Sequence, residues 1–355
     1  MSTLFVAISF AGGALATLAV FQLVRPVIGG RMIWPALGAA GLTTLVTSLA
    51  GTLSGIARLD YLLALSAFTL PVLVLLEAAA IGSGADRIAR WVLMLVWGLV
   101  VFPAAALVPL ALTAPCRFSG CAFVDFGGAL PLFVSASAYV LLAWAPRRAR
   151  ALPIPRGQEA LAGVLGFWFA FALWLTSLEA AFDAYLPRIL LAGAVGPAAA
   201  ALGWLLVDRL KAVDRPVPRS LGFGFLAGIA ATTSGAVTVS FPWSAVVGAL
   251  AGILAALIHS GRPITRAGPA PRWGLTLLGA TAVGFLAPPV WGDTIGILFS
   301  AQVGILAPPL MAFLGVAVGS ALVSAPVWVL LRRRQSARDD RDDTPSPDDG
   351  RPAAG

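Results

Sequence analysis

Long apolar segments alternate along the chain with short segments that contain charged residues, glycine and proline. A helix needs about 20 apolar residues to cross the hydrocarbon core of a bilayer. Apolar segments of that length predict eleven membrane-spanning helices, at residues 3–24, 33–56, 60–82, 91–113, 123–145, 159–181, 187–207, 219–237, 241–259, 273–291 and 298–331. Because the last segment is long and contains Pro308 and Pro309, we expect its first part to be bent or re-entrant.

The positions of the basic residues predict how these helices are oriented. All of the 24 basic residues except Arg58, Arg117 and Arg188 lie in segments that follow odd-numbered helices or in the C-terminal tail. Cytoplasmic loops of membrane proteins carry most of the Lys and Arg residues. The N-terminus is therefore predicted to lie outside and the C-terminus in the cytoplasm, which requires an odd number of helices.

The composition predicts an all-α polytopic membrane protein, located in the cell membrane with the lipid bilayer as its surroundings. Hydrophobic residues make up 59% of the chain and charged residues 11%, and the mean hydropathy is +0.91. A soluble domain is about half apolar and a quarter charged. The net charge of +8 is explained by the basic loops, so nucleic acid is not an expected partner.

The ends of the chain indicate its domain division, and its single histidine limits the kinds of site that it can contain. We divide the chain into a transmembrane domain, residues 1–334, and a disordered cytoplasmic tail, residues 335–355, which is rich in Arg, Asp and Pro. Because the first arginine follows the first apolar segment, we expect that segment to be a retained helix rather than a signal peptide. With His259 as the one histidine, neither a zinc site nor a histidine-based catalytic centre is expected, and no cofactor is predicted.

The two cysteines, Cys116 and Cys121, lie close together in a loop that is predicted to face outside. Disulfides persist in oxidising compartments. A disulfide between them is therefore favoured, and two free thiols are the alternative that the sequence also allows.

Few ionisable side chains lie in the apolar segments, where a charge at the bilayer centre costs about 2.5–3.5 kcal/mol. Asp125 starts the fifth predicted helix, where a carboxylate caps free backbone N–H groups, although in a vestibule it would also stabilise an approaching cation. Glu179 and Asp183 are expected to face water at the outer surface. Glu77 has no evident partner in the sequence. Its side chain is compatible with either a polar cavity or a contact with a neighbouring helix.

VDFGG, residues 124–128, opens the fifth predicted helix. It resembles the Asp-Phe-Ala-Gly-Gly motif that opens the fifth helix of the ammonium transporter/Rhesus family, and two further stretches resemble the same family. GFLAGIAATTSGAVTVSFPWSAVVGALAG, residues 224–252, is similar to the eighth and ninth helices, with Thr233 in place of the usual proline. GVLGFWFAFALW, residues 163–174, resembles the aromatic opening of the sixth helix. The glycines of these stretches are expected at close helix contacts.

The resemblance implies a fold of two inverted halves of five helices plus one further helix. It implies a homotrimer with one narrow apolar pore in each subunit, and a cytoplasmic regulatory protein as a partner. The substrate pathway implied by the resemblance contains Asp125, Gly127, Gly128, Phe133, Trp168, Trp174 and Thr232.

The two pore histidines of the family have no counterpart in this chain. The first position falls on Phe133, eight residues after the motif aspartate, and the second falls around residues 272–275, which contain no histidine. His259 ends the ninth predicted helix and is not expected to replace either one. The gate position of the sixth helix is occupied by Trp174. We therefore expect a drier and more obstructed lumen than in a typical family member.

Three functions are compatible with these observations. The first is an ammonium or ammonia transporter-like channel that moves a small neutral or ammonium-like solute across the membrane. The alternative is a non-conducting relative that acts as a sensor or as a partner subunit. A membrane enzyme is disfavoured, because the acidic residues are scattered and no catalytic constellation is present.

Overall fold

The computed structural model describes residues 2–28, 34–55, 59–116, 124–143, 158–261, 268–293 and 296–342, and the regular secondary structure within these ranges is helical. The α-helices are α1 (Ser2–Ile28), α2 (Trp34–Leu53), α3 (Leu59–Ser66), α4 (Thr69–Gly82), α5 (Arg87–Val96), α6 (Phe102–Cys116), α7 (Ser135–Tyr139), α8 (Gln158–Ser177), α9 (Tyr185–Leu210), α10 (Val217–Gly235), α11 (Phe241–His259), α12 (Pro269–Phe285), α13 (Ala287–Trp291), α14 (Ile297–Ser300) and α15 (Ala307–Asp342). Two π-helical turns, Trp97–Val101 and Leu130–Val134, precede α6 and α7, and a 3-10 turn, Val303–Leu306, precedes α15.

The prediction of a multi-pass α-helical membrane protein is confirmed. Within the described ranges, nine helical stretches are long and apolar enough to cross a membrane. The two other predicted spans correspond to the shorter apolar stretch Leu130–Tyr139 and to α10, which is buried along most of its length. A helix enclosed by protein needs no lipid-facing apolar surface, so α10 can carry many small and polar side chains. The count of eleven and the orientation stay predictions.

Large apolar side chains point outward from the helix bundle. Leu45, Leu202 and Leu322 are 64%, 64% and 67% exposed. Such a surface is unfavourable in water and is typical of helices that face lipid.

The fifth predicted span differs most from its prediction. Residues 124–128 are not helical, and the helix begins only after Gly128, whose φ of 68° lies in the left-handed region. Glycine adopts this conformation without a steric cost. The helical part of the span is therefore shorter than the apolar segment in the sequence.

The last span has the bent entry that its sequence predicts. Helix α14 ends at Ala301, which has a φ of 55°, and the 3-10 turn leads from there into α15. Helix α15 continues to Asp342, so residues 335–342 of the predicted disordered tail are helical. The rest of the tail lies outside the described residues.

Glycines allow α9 and α11 to approach each other closely. A Cβ atom on Gly252 would lie 2.0 Å from the carbonyl oxygen of Ala200, and one on Gly248 would lie 2.1 Å from that of Gly196. Any larger residue at these two positions would push the helices apart. The predicted role of glycines in this stretch as packing surfaces is confirmed.

Glu77 contacts a neighbouring helix, which resolves the alternatives left by the sequence. Its Oε1 accepts a hydrogen bond from Nη1 of Arg90 at 2.9 Å, and its Oε2 accepts one from the backbone N–H of Ala36 at 3.3 Å. Both side chains are buried. The carboxylate thus neutralises a cation on α5 and caps the first turn of α2.

One end of the bundle carries most of the described arginines, and we call it the arginine-rich end. Arg215, Arg219 and Arg272 lie there, where α10 and α12 begin. At the opposite end, Arg188 forms an ion pair with Asp293 and donates a hydrogen bond to the carbonyl oxygen of Thr238 at 2.9 Å. If the orientation predicted from the basic residues holds, the arginine-rich end faces the cytoplasm.

Candidate functional site

Asp125 caps the short helical segment that follows it. Its Oδ1 accepts a hydrogen bond from the N–H of Ala129 at 2.6 Å and its Oδ2 accepts one from Leu130 at 2.9 Å. The residue is 7% exposed. Both oxygens therefore satisfy backbone donors that a helix N-terminus leaves free, which supports the capping interpretation of this aspartate.

The glycine pair after Asp125 joins the segment to the end of α10. The N–H groups of Phe126 and Gly127 donate to the carbonyl oxygens of Ser234 and Thr233 at 3.0 and 2.9 Å. A Cβ atom on Gly127 would lie 2.5 Å from the Thr233 oxygen. Glycine is therefore required here by the close approach of two backbones.

Phe133 lies at the closed end of a cavity of about 150 Å³. The cavity is lined by the parts of α1, α4, α7, α8, α10 and α12 that lie nearest the arginine-rich end. Its lining is apolar except for Ser137, Arg219 and the indole N–H of Trp273. An apolar cavity of about this volume stays free of ordered water in other proteins.

Four aromatic rings, which we call the aromatic plug, fill the space beyond this closed end: Phe68, Phe167, Phe171 and Trp174. Phe68 stacks on Trp174 with ring centroids 4.2 Å apart, and it packs on Phe167 at 5.8 Å and on Phe171 at 6.1 Å. Phe68, Phe171 and Trp174 are 0% exposed. The plug separates the cavity from the opposite end of the bundle.

Hydrogen bonding and helix packing hold Trp174 in the plug. Its indole N–H donates to the carbonyl oxygen of Ala64 at 2.9 Å, and a Cβ atom on Gly12 of α1 would lie 2.9 Å from its own Cβ. The ring therefore connects α8 to α3 while α1 covers it. These contacts fit the sequence-based expectation that Trp174 obstructs the lumen.

The second expected histidine position falls on the wall of the same cavity. Trp273 and Gly274 of α12 line it. His259 lies behind this wall, with its ring 4.7 Å from that of Trp273, and its Nδ1 lies 3.3 Å from Oγ1 of Thr276. His259 therefore supports the wall from behind and does not line the cavity.

Two further residues of the implied pathway occupy helix contacts. The indole N–H of Trp168 donates to the carbonyl oxygen of Gly193 at 3.1 Å, while its neighbour Phe167 lines the cavity. Thr232 donates to the carbonyl oxygen of Gly228 at 2.9 Å, and its methyl group would lie 1.9 Å from a Cβ atom on Gly196. In this structure Trp168 joins α8 to α9, and Thr232 joins α10 to α9.

The remaining polar candidates of the sequence lie at the surface or outside the described region. Asp183 is exposed and caps α9 by accepting a hydrogen bond from the N–H of Tyr185 at 2.9 Å. Glu179 is half-buried near the same end of the bundle. The predicted disulfide lies outside the described residues, since Cys121 and the side chain of Cys116 are not among them.

The sequence analysis missed Phe68, and a proline in the sequence could have indicated it. Pro71 lies in the first turn of α4 and has no N–H to donate to the carbonyl of Ala67. The helix is interrupted there, between α3 and α4, and the Ala67 oxygen points to Gly13 of α1, 2.2 Å from the position of its Cβ. Phe68 lies at this break and its ring turns into the plug.

These features define a class of protein: a multi-pass α-helical membrane protein with a blind apolar cavity, closed by stacked aromatic rings. The sequence matches no family model and no curated protein.

Solved structures identify the fold. Mep2 of Candida albicans is 16% identical, with a TM-score of 0.71, and the match covers 94% of this chain and 85% of that one. Mep2 of Saccharomyces cerevisiae is 12% identical, with a TM-score of 0.67 and coverage of 92% and 86%. A protein described as a sensor Amt protein is 14% identical, with a TM-score of 0.69 and coverage of 94% and 93%. The chain has the ammonium transporter fold, as its motifs indicated.

Proposed function

We propose that the protein is a channel for ammonia or a similarly small neutral solute. The observation that carries this proposal is the apolar cavity that leads from the arginine-rich end to Phe133, on the axis that the aromatic plug closes. A solute would pass the plug when its rings rotate, and would then enter the cavity.

The chemistry of the lining selects against ions. Transfer of an ion into an apolar, water-free space carries a large desolvation penalty, whereas a neutral molecule loses only a few hydrogen bonds. No carboxylate lines the cavity among the described residues, and its charged member is the cation Arg219. An ammonium ion would therefore lose its hydration without a compensating anion, so ammonia is the form that enters.

The test uses the purified protein in liposomes that contain a pH-sensitive dye. An inward gradient of ammonium chloride should make the lumen alkaline faster than in empty liposomes, since entering ammonia binds protons. A solid-supported membrane with the same liposomes should record no sustained current. Alkalinisation no faster than in empty liposomes overturns conduction, and a steady current overturns the neutral form of the solute.

A second candidate, a non-conducting sensor or partner subunit, is favoured by the aromatic plug itself. Its rings are 0–3% exposed, and the resemblance implies that Phe133 falls on the first histidine position of the family. One of the similar structures is also described as a sensor Amt protein. Absence of flux from a correctly assembled protein, together with binding of ammonium or methylammonium, would support this candidate over the channel.

The resemblance supports three further proposals, because one chain alone carries no interface. We propose a homotrimer, which mass photometry in detergent would detect. The cell membrane is the proposed location, and a cytoplasmic regulatory protein is the proposed partner at the arginine-rich end. The similar structures are Mep2 proteins and a sensor Amt protein, and none of these three is described as an enzyme; we propose that this chain likewise has no enzymatic activity.

A further inference from the structure

Ser137 differs from the other residues that line the cavity. It is 4% exposed and lies on the cavity wall, four residues after Phe133 and on the same side of the helical segment. Within the described part of the chain, its hydroxyl forms no hydrogen bond. The Ser137 oxygen is not one of the fully enclosed side-chain atoms without a partner in the described residues, so it is reached from the cavity that it lines. A small molecule in the cavity can therefore form the hydrogen bond that the protein does not supply.

The neighbouring serine shows that this arrangement is not a general property of the segment. The hydroxyl of Ser135 donates to the carbonyl oxygen of Pro131 and lies 3.1 Å from the indole nitrogen of Trp97, which donates to it. Ser135 thus has partners on both sides and joins two π-helical turns. Ser137, two residues later, faces the cavity instead.

The position of Ser137 is fixed by a close contact between two helices. A Cβ atom on Gly274 would lie 2.6 Å from the carbonyl oxygen of Ser137. The backbone of Ser137 is therefore held where α7 crosses α12, and Trp273 of α12 lines the same cavity. This crossing keeps Ser137 at the cavity wall without a hydrogen bond from its side chain.

We propose that the Ser137 hydroxyl is a hydrogen-bonding subsite for a small neutral molecule that both donates and accepts hydrogen bonds. Ammonia and methylamine belong to this class, and the choice of ammonia as the probe rests on the proposed function. The hydroxyl can donate to the nitrogen lone pair or accept from an N–H group. The apolar surroundings strengthen this bond and exclude ions.

The first readout is ammonia flux into liposomes. Ser137→Ala should reduce it roughly two- to tenfold, as expected from the loss of one hydrogen bond, and Ser137→Thr should keep most of it because the hydroxyl is retained. Ser324→Ala is the control, since Ser324 is also a buried helical serine and its hydroxyl donates to Ala321 at 2.9 Å, away from the cavity. Equal flux in all variants argues against the subsite.

The second readout measures binding without conduction. Ala136→Cys introduces a thiol on the cavity wall in a chain that also carries Cys116→Ser and Cys121→Ser. The rate of its reaction with methyl methanethiosulfonate is compared in ammonium chloride and in tetramethylammonium chloride, at the same pH and concentration. Ammonium chloride should slow the reaction when Ser137 is present and should have no effect with Ser137→Ala.

The two readouts separate this inference from the proposed function. Protection that depends on Ser137, without any flux, overturns the channel and supports the subsite. If neither the flux nor the protection changes when Ser137 is replaced, the subsite is overturned and the proposed channel stands. An introduced thiol that does not react in the folded protein also overturns the subsite, because the ligand must reach it from water.

Discussion

The ring of Phe68 stacks on the indole of Trp174 with their planes 25° apart and their centroids 4.2 Å apart. Phe68 lies at a helix break and Trp174 within α8, so the stack joins two separate parts of the bundle. The distance between the rings is that of direct contact. In the proposed channel, a solute passes only when one of these rings moves.

Trp174→Phe should increase ammonia flux several-fold, because the smaller ring leaves space in the plug and loses the hydrogen bond that fixes it to Ala64. Trp328→Phe is the matched control, since Trp328 is also buried and its indole N–H donates to the carbonyl oxygen of Tyr139 at 2.8 Å. Both substitutions should lower thermal stability in detergent. An equal change of flux in the two variants would show that Trp174 has no special role.

Phe133→His should make flux dependent on pH between about 5 and 8, where an imidazole changes its charge. The neutral ring adds a hydrogen-bonding group at the closed end of the cavity, and its protonated form can no longer accept a hydrogen bond from ammonia. Phe133→Leu serves as the control for ring size. With the ammonia concentration held constant by adjusting the ammonium chloride at each pH, flux over this range should be flat for the leucine variant, and a flat profile for both would contradict the placement of Phe133 on the pathway.

Asp125→Asn should lower stability by about 0.5–2 kcal/mol, because the amide provides one acceptor for the two N–H groups that the carboxylate caps. The concentration of ammonium chloride that gives half-maximal flux should stay the same. Thermal unfolding measures the change in stability, and flux at increasing concentrations of ammonium chloride measures the half-maximal concentration. A weaker concentration dependence with unchanged stability would favour attraction of cations over capping.

Gly127→Ala should destabilise the protein by about 1–3 kcal/mol, as expected for overpacking at a rigid backbone contact. Gly315→Ala is a suitable control, because a Cβ atom there would meet no atom within 4 Å. In a helix, that substitution is expected to be neutral or slightly stabilising. Melting temperatures in detergent compare the two, and equal values would show that the contact with Thr233 yields easily.

Glu77→Gln should destabilise the protein by about 3–5 kcal/mol, since it leaves the Arg90 cation buried without its counter-charge. The double variant Glu77→Gln and Arg90→Met should recover part of this loss. Thermal unfolding of the single and double variants gives the coupling between the two residues. Purely additive effects would mean that the ion pair does not govern the stability of this region.

The fold was largely predictable because the length and spacing of apolar segments depend on the bilayer, which is the same for every membrane helix. The exceptions have local causes. Residues 124–128 are apolar enough to be helical but form a turn instead, with the Asp125 cap after it and a positive φ at Gly128. Helix α10 was predicted from its apolar segment at 219–237, but it is not among the nine stretches of high hydropathy in the described residues, because protein surrounds it and it carries many small and polar side chains.

The candidate site was predictable only where a motif or a spacing indicated it. Phe133 and Trp174 follow from the motifs, and the spacing of Phe167, Phe171 and Trp174 places their rings on one side of α8. Ser137 has no such signal, since a serine in a membrane helix usually bonds to its own backbone. Its free hydroxyl becomes evident only from the contacts around it.

The hydrogen bonds from Phe126 and Gly127 to Ser234 and Thr233 have a mechanical consequence. The backbone at the start of the fifth predicted helix is hydrogen-bonded to the backbone of the eighth. These two segments of the chain are in contact without an intervening side chain. Transporters that alternate between two faces rock one half against the other, and this joint resists such rocking. In the proposed channel, the moving parts are therefore individual rings within a fixed frame.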